Sequence, residues 1–139
     1  MAVFLYNLVG VKINSVDLSD LVTAVTINRS FDELEVTAMG DSSHKFVKGL
    51  EASTVTIDFL NDTAATKTLA TLQAAWGTTV TAIFIQEKGT TVSATNPTYT
   101  VSLLINNTTD INGAVGDIGT QSITFTANSA VVVSSSAPF

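Results

Sequence analysis

Apolar side chains recur at every second position along several separate runs of the chain, and this period of two is what most restricts its folding. Val55, Ile57 and Phe59 alternate with Thr54, Thr56 and Asp58; Ile123, Phe125 and Ala127 alternate with Ser122, Thr124 and Thr126. Tyr99, Val101, Leu103 and Ile105 oppose Thr100 and Ser102, and Leu34, Val36 and Ala38 oppose Glu33, Glu35 and Thr37. Successive side chains of a strand point to opposite faces, so each run predicts a strand with one face on a core and the other toward solvent. Residues 21–27 and 80–85 are apolar on both faces, which predicts central strands under a second covering layer. The fold class expected is mainly β.

One segment departs from that period. Ala65, Leu69, Leu72 and Trp76 recur at steps of four, three and four, the spacing of one helical face, and predict a single flanking helix over residues 62–76. Asp62 is placed to cap its free amides and Gly77 to take the left-handed position after its last turn. Trp76 then belongs to the stripe packed on the outside of a sheet. Residues 38–50, 87–98 and 107–120 read as loops, the first longer than a hairpin requires, and residues 134–139 read as a flexible tail.

At 139 residues and 45% hydrophobic the chain predicts one domain able to bury a core without staples. Only 13% of residues are charged, so exposed polarity falls to Thr, Ser and Asn, and the composition points to a surface partly covered by partner subunits. A net charge of −6 argues against binding nucleic acid by neutralising its phosphates. The absence of cysteine excludes thiol catalysis, zinc–thiolate sites and disulfides. The apolar start, Met1 to Tyr6, lacks a basic segment and is broken by Asn7, which reads poorly as a signal peptide, and no run reaches the length of a membrane span.

Residues with chemistry are few and scattered. His44 is the single histidine, beside Lys45 in a polar loop, with nothing to complete a metal site or nucleophile pair. Gly113, Gly116 and Gly119 match neither a dinucleotide fingerprint nor a phosphate loop and read as turn punctuation. Asp32, Glu33 and Glu35 read as a solvated acidic face rather than an acid–base pair. No enzyme activity, cofactor or metal is expected.

The order of these pieces carries a resemblance. Glu35-Val-Thr-Ala-Met-Gly-Asp41, Phe46-Val-Lys-Gly-Leu50, Ser53-Thr-Val-Thr-Ile-Asp-Phe59, the helix and Gly77-Thr-Thr-Val80 resemble phage tail tube proteins. Thr95-Asn-Pro-Thr-Tyr-Thr100, Gly113-Ala-Val-Gly-Asp117 and Gln121-Ser-Ile-Thr-Phe125 are similar to the second half of the major tail protein of long flexible tails, so the likeness covers about residues 20–128. It implies a β-sandwich or partly closed β-barrel with one flanking helix. It also implies hexameric rings stacked head to tail around a tape-measure protein, between tail tip and tail terminator proteins. Such a tube belongs to the virion tail, is made in the host bacterial cytoplasm, touches no membrane, and passes double-stranded DNA without binding it specifically.

In that family the long loop between two early strands reaches the adjacent ring. Its position here is residues 38–50, where Met39, Phe46, Val47 and Leu50 offer apolar anchors and Asp41, His44 and Lys45 the polar contacts. Glu33, Glu35 and Asp58 are the acids expected to face the lumen and repel phosphate. Open sheet edges fit the same picture, because unpaired strand amides and carbonyls are a liability in a monomer and a joint in a ring. A β-sandwich decoration or adhesion module and a secretion-system tube protein remain the alternatives.

Overall fold

The computed structural model describes residues 7–139; Met1 to Tyr6 lie outside the described residues. Along them run β1 (Gly10–Ile13), β2 (Val16–Asp17), β3 (Val22–Asn28), β4 (Phe31–Glu35), β5 (Phe46–Glu51), β6 (Thr54–Leu60), α1 (Thr68–Ala74), β7 (Thr79–Ile85), β8 (Thr98–Leu104), β9 (Thr120–Ala127) and β10 (Val132–Ser134). The fold is mainly β, with one α-helix, and its sheets are not closed into a barrel but resemble a β-sandwich. All strand pairs are antiparallel.

The larger sheet runs β2-β1-β7-β8-β9-β6-β3, with β10 added on β8, and β4 pairs β5 in a second, two-stranded sheet. Strand β8 divides one edge between two partners. Its first half, Thr98 to Thr100, pairs β10, whereas only Leu103 and Leu104 pair β9. That narrow junction lets the two halves of the sheet turn their apolar faces toward one core. Val11, Ile13, Ala82, Phe84, Val101 and Leu103 from one half meet Val55, Ile57, Phe59, Ile123 and Phe125 from the other. Alternation in β6, β8 and β9 puts these side chains inward, as the sequence predicts, and Thr or Ser outward.

Turn chemistry explains the tight connections. Asn14 and Ser15 join β1 to β2 with φ of 51° and 66°, two consecutive left-handed residues of the kind a two-residue hairpin requires. Gly77 takes the left-handed conformation expected of it, φ 76°, and its amide donates to Ile105 O at 2.9 Å.

The helix begins later than predicted. Only Thr68–Ala74 is α-helical, and the Lys67 side chain makes no cap bond. The Asp62 carboxylate accepts from the Ala64 amide at 2.8 Å, and Thr66 has φ 61°, so residues 62–67 form turns instead of helix. Short polar and β-branched side chains there offer the backbone local alternatives to a helical ladder. The packed stripe is Thr68, Thr71, Leu72 and Ala75, all buried, and it leaves Trp76 57% exposed rather than in the core.

Two strand expectations also change. Strand β7 is interior, between β1 and β8, but among the described residues β3 pairs only β6 and stands at an edge instead of the centre. Strand β4 is exposed along its whole length, and among the described residues no sheet lies behind Leu34 and Val36. The C-terminal segment, expected to be a free tail from about residue 134, makes contacts along β8 and β1. Thr98 Oγ1 donates to Ala137 O at 3.1 Å, and the Phe139 ring lies against Gly10 with Lys12 Nζ 4.7 Å from its centroid. A Cβ at Gly10 would stand 2.8 Å from that ring, so the absent side chain is what admits it.

Candidate assembly surface

Strands β3 and β6 continue beyond the sandwich into β4 and β5. Arg29 and Ser30 carry the chain out, Ala52 and Ser53 bring it back, and the Ala52 amide donates to Ser30 O at 2.8 Å to keep the ladder continuous. Phe31 pairs Glu51, a bulge follows, and then Glu33 pairs Lys48, Leu34 pairs Val47 and Glu35 pairs Phe46. Bulges bend and twist a ribbon away from the parent sheet. Gly49 is required here, because a Cβ would come within 2.8 Å of Asp32 O and 2.9 Å of Asp32 Cβ.

The far end is held by polar side chains. Val36 N donates to Lys45 O at 2.8 Å and Lys45 N to Thr37 Oγ1 at 2.9 Å. Ala38 N donates to the Asp41 carboxylate at 2.8 Å, and Lys45 Nζ lies 2.8 Å from the same side chain. The hydrogen bond from Lys45, then that from Ala38 N, holds the Asp41 carboxyl below its ordinary range. Gly40, φ 91°, makes the turn between them. The loop predicted over residues 38–50 is thus partly strand: residues 46–50 lie in β5, and the true connection is residues 36–45.

Apolar side chains on this ribbon have no core behind them among the described residues. Phe31, Leu34, Val36, Met39, Phe46, Val47 and Leu50 are all exposed, Met39 fully and Leu50 at 81%. Hydrophobic burial scales with area removed from water, so such a surface gains most from a partner that covers it. Beyond β4 and β5 themselves, each strand also presents an outer edge without a ladder partner among the described residues. Met39, Asp41, His44, Lys45, Phe46, Val47 and Leu50, the expected contact residues, therefore all stand on one projecting element.

The three acids expected together are separated. Glu35 bonds the His44 ring nitrogen Nδ1 and accepts from Thr37 Oγ1, and Glu33 faces Lys48 across the ribbon. Asp58 stands on β6, in the other sheet, between Ala24 and Ser122. Its neighbours on the outward face of β3, β6 and β9 are rows of hydroxyls. Thr26, Thr56 and Thr124 are in register, as are Asn28, Thr54 and Thr126, and Thr56 Oγ1 lies 3.0 Å from Thr124 Oγ1.

Val9, Val25, Ile27, Phe84 and Tyr99 line a cleft of about 190 Å³ where edge strand β3 faces β7 and β8, and Arg29 and Gln86 stand at its polar rim. Its signal in the sequence was the apolar alternation of Val25 and Ile27, which a strand set between two layers would equally produce. Among the described residues no cluster of three or more His, Asp or Glu is placed to hold a metal ion. Gly116, φ 91°, lies in a turn closed by Asp117 N to Ala114 O at 3.0 Å.

The site and fold together define a class: a β-sandwich-like domain carrying an apolar, two-stranded ribbon. No protein-family model matches the chain, and no curated protein matches it in sequence.

Proposed function

We propose that the chain is the structural subunit of a phage tail tube, forming hexameric rings that stack into a hollow cylinder for DNA delivery. The observation that carries this reading is the ribbon of β4 and β5, which holds seven large apolar side chains in water beyond the sandwich. A lone monomer gains nothing from that surface, whereas a head-to-tail assembly covers it at every step. The Thr-rich outward face of β3, β6 and β9 supports the bore. It offers hydroxyls and one carboxylate, Asp58, to a passing duplex, with no cation to bind phosphate. Of the three acids expected in the lumen, this reading keeps Asp58 there and assigns Glu33 and Glu35 to the joint between copies. Tape-measure, tail tip and tail terminator proteins are the partners such a tube requires, in a virion tail assembled in the bacterial cytoplasm.

Phe46→Asp tests the proposal. The side chain is 55% exposed in the isolated chain, so the variant is expected to keep the Tm of the parent and to form no tubes under negative stain. Tubes of normal length and number from Phe46→Asp would refute the ribbon as the joint.

A further inference from the structure

The cleft beside Tyr99 is of a size for one aromatic ring. An apolar cavity of about 150 Å³ holds a benzene molecule, and this one measures about 190 Å³ with Val25, Ile27, Phe84 and Tyr99 on its walls. The ribbon carries a matching group. Phe46 is 55% exposed, with Glu35 directly across the ladder and the His44 ring centroid 6.4 Å away. Charges agree with the shapes: the Arg29 side chain at the cleft rim is half exposed and reaches its own Glu51 only at 3.9 Å, while Glu35 flanks Phe46. Phe46 is out of reach of its own cleft. From Arg29 to Glu35 the strand path is six residues, roughly 20 Å at the usual rise per residue.

We infer that Phe46 of one copy of this chain enters the cleft of Val25, Ile27, Phe84 and Tyr99 on another copy, with Glu35 of the first meeting Arg29 of the second. The contact joins unlike surfaces and therefore propagates from copy to copy. It rests on the proposed self-assembly but goes further, since it names the receptor for the ribbon. That receptor lies on the edge strand from which the ribbon itself grows, so each subunit is donor at one end and acceptor at the root.

Because the chain has no cysteine, the contact is open to cross-linking without background. Phe46→Cys and Ile27→Cys proteins, mixed at high concentration and mildly oxidised, are expected to give a disulfide-linked heterodimer at least about tenfold more abundant than a control mixture of Phe46→Cys with Thr109→Cys, which lies on a different loop. Equal yields in the two mixtures would overturn the inference. Sedimentation supplies an independent arm. Arg29→Glu is expected to weaken self-association by about tenfold or more, and Arg29→Glu with Glu35→Arg to restore it, as reversed charge partners do. Failure of the double variant to recover would mean that the two charges do not meet. If the unsubstituted chain builds tubes while the Phe46–Ile27 disulfide is absent, the docking inference fails and the tube reading stands. If the disulfide forms but only closed, tube-free oligomers are seen, the docking stands and the tube reading fails.

Discussion

Three side chains hold segments that carry no regular structure. Gln121 is buried on β9, where its amide nitrogen donates to Asn61 Oδ1 at 2.8 Å and its oxygen accepts from Thr109 N at 3.0 Å, tying two loops to one strand. Asn96 does the same for residues 86–97: its oxygen accepts from Glu87 N and its nitrogen donates to Glu87 O, both at 3.1 Å. Leaving buried partners unsatisfied costs about 1–3 kcal/mol, so Gln121→Leu should lower the unfolding free energy by that amount in urea titrations despite its greater apolarity. Asp17 makes the third tie. Burial opposes its ionisation, but hydrogen bonds from Lys88 and Ser19 outweigh that and hold the carboxyl at about 2 against an ordinary 3.8. A depressed folded value stabilises the fold above the unfolded one, so this contribution is full above about pH 4 and is lost as the pH falls toward 2. The side chain is 37% exposed, and with solvent screening Asp17→Asn should cost roughly 1 kcal/mol at pH 7. Urea midpoints of the variant should then fall less steeply than those of the parent between pH 4 and pH 2. The Gln121–Asn61 and Asp17–Lys88 ties join residues distant in the chain through a single amide or carboxylate, which local spacing does not reveal.

Strands β6, β8 and β9 were legible because a dry core on one side and solvent on the other impose alternation on every residue, as Val55, Ile57 and Phe59 show at zero exposure. The same alternation misled in β4. Leu34 and Val36 follow the pattern of a half-buried strand, yet what lies behind a strand is settled by pairing order, which local spacing does not carry. Strand β3, apolar on both faces, predicts a central strand for the same reason, whereas among the described residues it stands at the sheet edge. For the helix, period and type agree with the structure but phase and start do not: Thr68, Thr71, Leu72 and Ala75 pack inward, and Trp76 stays out. Leu72→Ala should therefore cost about 2–5 kcal/mol, and Trp76→Ala well under half of that, in thermal or urea unfolding. Equal costs would place the tryptophan back in the core. On the ribbon, Gly49→Ala should lower the Tm little while disturbing the β4–β5 ladder, since the added methyl meets Asp32 backbone. Faster amide exchange confined to residues 31–51 is the expected sign.

For the whole molecule, the decisive asymmetry is between a sandwich whose two halves share one buried core and a ribbon whose apolar residues have no such core behind them among the described residues. The candidate site was legible as a set of residues, Met39 to Leu50, but its form as a paired ribbon was not, because the pairing of β5 with β4 is a register and not a composition. Self-assembly into a hollow cylinder is then the central claim, and direct imaging tests it most plainly. Negative-stain microscopy of the purified chain, concentrated and incubated at neutral pH, is expected to show six-fold rings and stacked tubes with an open bore. Only isolated globules at every concentration, with a sedimentation coefficient of a monomer, would contradict it.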